Sequence, residues 1–283
     1  MFRSCSRLPL VSIVVLGILA RSAVAFVSRP TTAGSTRSDR LARGMLPNSL
    51  QGVIFDIDGT LADSWKLGFD ATQSVLTQNN IDPITEEEYH RCTRYCTPDR
   101  LARHAGLEPG DAEFEAVGER LGHEFDTLYI GLVSLETAAF FPGIHAFLEN
   151  LPSHLKLGAL TNAAVAYAHA VFQVNLKNSE RSVKFESVHG ADDVPAPKPA
   201  ADGLWLVCQE LGVKPEDCVY VGDSPSDAMA AKNAGMPAIG VLWGSHSEQS
   251  LQKAPFDHLC RTVEELKEIL PGSVPAAAAV VQE

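Results

Sequence analysis

The stretch 52–64 constrains the fold more than any other. Val53, Ile54 and Phe55 form a short apolar run of the kind that makes a buried strand, and the run breaks at once into Asp56-Ile57-Asp58-Gly59-Thr60. A carboxylate at the end of a buried strand is costly unless something pairs with it. Two of them, two residues apart at the lip of a sheet, predict a cation and a reaction. Gly59 lets the chain turn tightly and brings main-chain N–H groups close to whatever binds there.

Further apolar runs follow the same plan. Leu155 to Leu160 reads as a strand ending in Thr161-Asn162. Phe185 to His189 reads as another, followed by Gly190-Ala191-Asp192-Asp193 and then Pro197-Lys198-Pro199, with Asp202 and Leu204 opening a helix. Cys218 to Val221 runs into Gly222-Asp223-Ser224-Pro225-Ser226-Asp227, and a helix from Ala228 to Ala234 is closed by Gly235. Ala238 to Leu242 is a further strand, Phe256 to Cys260 an edge strand, and Ile144–Leu151 and Val263–Leu270 are helices. Strands alternating with helices predict an α/β fold, a Rossmann-like parallel sheet with helices on both faces. In such sheets the ligand site lies beyond the carboxyl ends of the strands, where these polar segments fall.

Residues 65–139 have a different character and predict a small all-helical insertion. Phe69, Thr72 and Leu76, with Ala71 and Val75 beside them, form a stripe at helical spacing, broken at Asn79-Asn80 and Pro83. Thr85 with Glu88 reads as a capping box, and Thr97-Pro98-Asp99 as a helix start with Thr97 at the cap. Leu121, Phe125, Leu128, Leu132 and Leu135 predict one long amphipathic helix. Arg91, Arg94, Arg100 and Arg103 cluster with His90 and His104. Arg94 and Arg100 bracket the break at Thr97-Pro98 and are the candidates for holding the non-reacting end of an anionic substrate, since a guanidinium grips carboxylate or phosphate through two hydrogen bonds.

The four polar segments, in order, resemble motifs I to IV of the haloacid dehalogenase-like (HAD) superfamily, phosphatase branch. The resemblance spans essentially all of residues 51–270, and the helices directly after Thr60 resemble the members whose cap follows motif I. It implies a core of 49–64 and 140–272 with a helical cap of 65–139. It implies Mg²⁺ held by Asp56, Asp223, Asp227 and the main-chain carbonyl of Asp58. Asp56 is then the nucleophile that forms an aspartyl-phosphate, and Asp58 the acid and base. Thr161, Lys198, Asn162 and the N–H groups around Gly59 hold the phosphoryl oxygens. Asp58 separates the chain from true dehalogenases, which lack a comparable second aspartate. Thr60 favours phosphatases over phosphomutases, which often carry Val there. Resemblance to the phosphoglycolate phosphatase-like branch makes 2-phosphoglycolate the first candidate substrate. A sugar phosphomutase of the β-phosphoglucomutase type, a sugar (bis)phosphate or nucleotide phosphatase, and a silent relative are the alternatives.

The chain carries a formal charge of −12, but seven arginines against Asp39 alone leave residues 1–50 at +6 and the rest at −18. An acidic body disfavours nucleic acid and anionic membranes, but does not exclude small anionic substrates, because a bound metal can reverse the local field. The resemblance implies a small phosphorylated metabolite as partner, with a monomer or small homo-oligomer as the expected assembly. Residues 1–25 resemble a signal peptide: Arg3 and Arg7, an apolar segment from Leu8 to Ala20, then Ala23-Val24-Ala25. Phe26 opens a Ser-, Thr- and Arg-rich segment, 26–48, of transit-peptide composition. The pair resembles the two-part leaders of algae with secondary plastids, which predicts the plastid stroma, with secretion as the alternative. Residues 273–283 are Ala/Val/Pro-rich and are expected to fray. Cys5 leaves with the leader; the other five cysteines lack a disulfide or zinc pattern, and Cys92 and Cys96 are expected on one helical face.

Overall fold

The computed structural model describes residues 46–47, 50–177 and 183–270. The expected signal peptide, nearly all of the transit-like segment and the tail lie outside the described residues. Six strands form one sheet: β1 (Gly52–Phe55), β2 (Lys156–Leu160), β3 (Phe185–His189), β4 (Cys218–Gly222), β5 (Ala238–Val241) and β6 (His258–Cys260). Their order is β3-β2-β1-β4-β5-β6, and every neighbouring pair is parallel.

Register decides where the functional residues emerge. Phe55 lies level with Ala159 on one side and Val221 on the other, and the Asp56 N–H donates to Val221 O at 2.8 Å. Asp56, Thr161 and Asp223 therefore leave adjacent strands at one edge, on either side of the point where the strand order reverses. The strands are buried on both faces, as parallel strands are. Val53, Phe55, Ala159, Val219 and Val221 face one apolar layer, and Ile54, Leu160 and Tyr220 the other. The first layer is completed by α5 (Ile144–Glu149), α6 (Val165–Leu176) and α10 (Val263–Ile269). The second is completed by α7 (Asp202–Leu211) and α8 (Pro225–Ala234); a short α9 (Glu248–Leu251) precedes β6.

Between β1 and α5 come α1 (Trp65–Gln78), α2 (Glu86–Cys92), α3 (Thr97–His104) and α4 (Phe114–Gly131). The Thr85–Glu88 capping box forms as read. Leu67, Ala71 and Val75 of α1 and Leu121 and Phe125 of α4 are buried in the same cluster as the first sheet face. No helix among the described residues is long and apolar enough to cross a membrane.

Four expectations change. The long helix ends at Gly131, so Leu132 and Leu135 lie beyond it, 45% and 56% exposed. There Thr137 Oγ1 donates to Leu132 O and accepts from Ser134 N–H, and such side-chain bonds compete with helical ones. Cys96, not Thr97, occupies the cap of α3, and Thr97 sits in the first turn. Cys92 ends α2, so the two thiols stand on different elements. The helix α6, between β2 and β3, was not expected from the residues that fill it.

Candidate active site

The edge residues converge on one buried centre. Lys198 Nζ donates to Asp56 Oδ1 (2.6 Å), Asp227 Oδ1 (2.7 Å) and the main-chain oxygen of Leu160 (3.2 Å), and lies 3.0 Å from the Tyr220 hydroxyl. Its side chain is 3% exposed, so its charge depends on these partners. Burial works against that charge, Asp227 and Asp56 more than reverse it, and the lysine pKa is raised above its ordinary value. Burial likewise pushes the Asp56 carboxyl well above the usual carboxylate range; Lys198 opposes this, while Asp227, Asp223 and Asp58 add to it.

Asp56, Asp223 and Asp227 bring carboxylate oxygens within 4.8 Å of one another. Three clustered buried carboxylates, of which only Asp56 and Asp227 pair with the Lys198 ammonium, leave a deficit of positive charge, and an all-oxygen donor set suits a hard divalent cation. The donors are unequal. Asp227 is fully engaged: Oδ1 by Lys198, and Oδ2 by the Ser224 N–H (2.9 Å) and hydroxyl (2.7 Å). Asp223 Oδ2 accepts from the Ser245 N–H at 2.6 Å. Gly59 explains itself here. Its φ is +76°, and a Cβ would lie 2.3 Å from Asp223 Oδ2. Its N–H donates to Ala62 O at 3.0 Å, so Gly59 serves by letting Asp223 approach rather than by donating to a substrate.

Asp58 belongs to a different network, and its carboxylate stands outside the three-carboxylate cluster. Ser64 Oγ (2.5 Å), Tyr167 OH (2.6 Å) and Tyr129 OH (2.9 Å) donate to its Oδ1, and Thr161 Oγ1 to its Oδ2 (3.3 Å). Burial, and then the Asp58 charge, hold both tyrosines well above the usual phenol range, so they remain donors. Ser64, Tyr129, Tyr167, Tyr220 and Ser245 were not anticipated. Tyr129 is four residues past Phe125 on the predicted stripe, the one available signal; Tyr167 lies on the unexpected α6.

The remaining candidates separate. Asn162 lines the cavity, but its amide is spent on main chain: it donates to Lys198 O (3.0 Å) and Arg94 O (3.2 Å) and accepts from Lys198 N–H (3.0 Å). It stitches the Lys198 loop in place. The Arg94 side chain is exposed, donates to the Tyr95 hydroxyl and does not line the cavity. Arg100 does line it. Its guanidinium donates to Thr72 Oγ1 (2.8 Å) and lies over the rings of Phe125 (4.4 Å) and Tyr89 (5.4 Å). It is 6% exposed, and among the described residues no carboxylate pairs with it. Arg91 and Arg103 pair with Glu88 and Glu108 instead. The cavity that both Arg100 and Asp56 line measures ≈70 Å³.

A buried carboxylate at a strand end, a buried lysine and an acidic cluster that could hold a cation meet at the switch point. Residues 53–241 match the family model described as haloacid dehalogenase-like hydrolase. The chain belongs to that family. The phosphoglycolate phosphatase of Shigella dysenteriae serotype 1 is 29% identical over 234 residues, covering 77% of this chain and 91% of that protein. That of Salmonella typhi is 31% identical over 216 residues, covering 69% and 82%. The crystal structure of CbbY from Rhodobacter sphaeroides in complex with phosphate superposes with a TM-score of 0.63 at 25% identity, over 77% of this chain and 96% of that one. The chain is therefore a phosphatase of the haloacid dehalogenase-like family.

Proposed function

We propose that this phosphatase hydrolyses 2-phosphoglycolate with Mg²⁺ as its cation. The observation that carries the substrate reading is the buried Arg100 guanidinium, without an ion-pair partner among the described residues, which lines the same ≈70 Å³ cavity as Asp56. A buried charge without a partner is costly, so an anion belongs there. The volume is well below the roughly 300–1,000 Å³ of pockets for drug-sized ligands, and suits a substrate of few atoms. The phosphoglycolate phosphatases among the relatives point the same way.

Each residue then has a task. Asp56 attacks phosphorus in line as the ester oxygen departs, and an aspartyl-phosphate forms. Asp58, oriented by four hydroxyls, gives the departing oxygen its proton and recovers one from the water that cleaves the acyl-phosphate. Lys198 stabilises the equatorial oxygens, and Arg100 holds the carboxylate. Asp56 and Asp223, with Asp227 through water, would hold the cation, which when bound lowers the repulsion between anionic nucleophile and anionic ester.

An adjoining cavity of ≈300 Å³, lined by Trp65, His90, Phe141 and Trp243, favours a second reading, a phosphatase of a longer sugar bisphosphate. Phosphate release from a panel of phosphorylated metabolites, with and without Mg²⁺ and with sugar isomerisation followed separately, tests both. Turnover of 2-phosphoglycolate above the other esters supports the first; release only from nucleotides or sugar bisphosphates ends it, and isomerisation without release makes the chain a mutase. We also infer plastid delivery, on the composition of residues 1–48. A fluorescent protein fused behind residues 1–50 should enter the plastid of an alga with a secondary plastid, and secretion of the fusion would overturn this.

A further inference from the structure

One loop carries Thr161 to the site, and a second piece of chain holds it. The His189 main-chain oxygen accepts from the Thr161 N–H at 3.1 Å, and the Ala191 N–H donates to Ala163 O at 2.9 Å. The Val165 N–H donates to Asp192 Oδ1 at 2.7 Å. A Cβ on Gly190 would lie 2.2 Å from Val165 N and 2.6 Å from Ala163 O, so the turn 190–193 is flush against the loop bearing Thr161. Asp193 closes this turn. Its Oδ1 accepts from the Gly190 N–H at 2.9 Å, and its Oδ2 lies 2.9 Å from His189 Nδ1. The other ring nitrogen, Nε2, lies 3.0 Å from Glu210 Oε2 on α7, which also accepts from Ser187 Oγ at 2.8 Å.

Both nitrogens of His189 thus face carboxylate oxygens. A neutral imidazole has one N–H and satisfies one of them; an imidazolium satisfies both. The His189 ring is largely buried, so water does not readily replace a partner lost by a ring nitrogen, while the Asp193 and Glu210 carboxylates stay open to solvent, 35% and 44% exposed. Among the described residues, the ionisable groups acting on the ring are Glu210 from α7 and Asp193 from the turn. Burial disfavours the charged ring, but these two carboxylates together outweigh it and raise its pKa above the ordinary value. Glu210 is held below its usual range by Ser187 and then His189.

We propose that His189 is a positioning residue: as an imidazolium it clamps Asp193 to Glu210 and, through the turn 190–193, fixes the loop that presents Thr161. Its role does not depend on which ester the enzyme takes. The folded pKa is raised, so the clamp is complete at low pH and is lost as pH rises through the folded value. Loop misplacement of this kind lowers kcat more than it raises KM.

The decisive variants differ in proton count. Asp193→Asn makes the site compatible with a neutral ring: Nε2–H donates to Glu210, the new amide donates to Nδ1, and its oxygen still accepts from Gly190. It should keep near-wild-type kcat while the alkaline decline weakens. His189→Gln should lose on the order of tenfold in kcat, with KM little changed and the alkaline decline gone. An Asp193→Asn protein as impaired as His189→Gln, or a His189→Gln protein with unaltered kcat and pH profile, overturns the proposal. Ring titration by NMR on the wild-type full chain decides it without catalysis or variants. A His189 still protonated at neutral pH supports the clamp, and an ordinary or depressed pKa refutes it. If no phosphate ester is turned over, the substrate reading fails, while this titration still judges the clamp.

Discussion

Arg100 and Lys198 are both buried cations at one cavity, yet their surroundings are opposite. Lys198 sits at the carboxyl edge of the sheet with two carboxylates, a tyrosine hydroxyl and a main-chain oxygen around its ammonium. Arg100 sits in the helical insertion against a threonine and two aromatic rings; its charge acts on Asp126, but among the described residues no carboxylate forms an ion pair with it. The core cation is satisfied before any substrate arrives, and the insertion cation is not. A satisfied cation is positioned for chemistry on a group common to all substrates. An unsatisfied one discriminates between substrates, because only the right ligand relieves its desolvation.

Experiments can break this contrast. The largest effect belongs to the core: Asp56→Asn should remove turnover, by at least about 10⁴-fold if Asp56 is the nucleophile, as measured by phosphate release. Residual activity within tenfold of wild type would discard the covalent route. Lys198→Met strips the partner from two buried carboxylates. It should lower kcat on the order of 10²–10³-fold and cost about 3–5 kcal/mol of stability, read from urea unfolding. Added Mg²⁺ should restore part of the stability, and a Lys198→Met protein as stable as wild type would mean that the carboxylates need no pairing.

The insertion should respond differently. Arg100→Ala should raise KM for the true substrate about ten- to a hundredfold with a smaller change in kcat, and Arg94→Ala should change neither, by steady-state kinetics. Equal effects of the two would erase the distinction drawn from their positions. A titration sharpens the same contrast. Asp126, on α4, has a buried Oδ1 without a partner, and burial raises its pKa to about 6, against the pull of Arg100. A raised carboxyl pKa makes the folded state prefer the protonated form. Stability should therefore fall as pH climbs from about 4 through 6, by on the order of 3 kcal/mol. Asp126→Asn should flatten that slope in thermal scans over this range, and an unchanged slope would remove Asp126 as its cause.

Most of the core was legible because its determinants are local. An apolar run that stops at Asp56, Thr161 or Asp223 identifies both a strand and what stands at its end, and parallel register then brings those ends together. The Lys198 motif was readable from its two prolines. The partners of Asp58 were not, because a tyrosine on a helix is equally at home in a core, and nothing near Tyr167 in the chain marks the hydroxyl as aimed at Asp58. Asn162 and Gly59 were found in the right place with other tasks: each faces a neighbouring loop that only folding supplies.

The amino-acid sequence by itself determined the α/β order, the helical insertion after the first strand and the identity of the buried acids and lysine, because periodicity, turn residues and strand-end charges act over a few residues. Tertiary structure alone decided that Arg100 turns inward while Arg94, six residues earlier, turns outward. It also decided that two tyrosines grip Asp58 and that His189 lies between two carboxylates. Those outcomes depend on which distant elements pack together, and burial, not chain neighbourhood, sets the free energy of a charge.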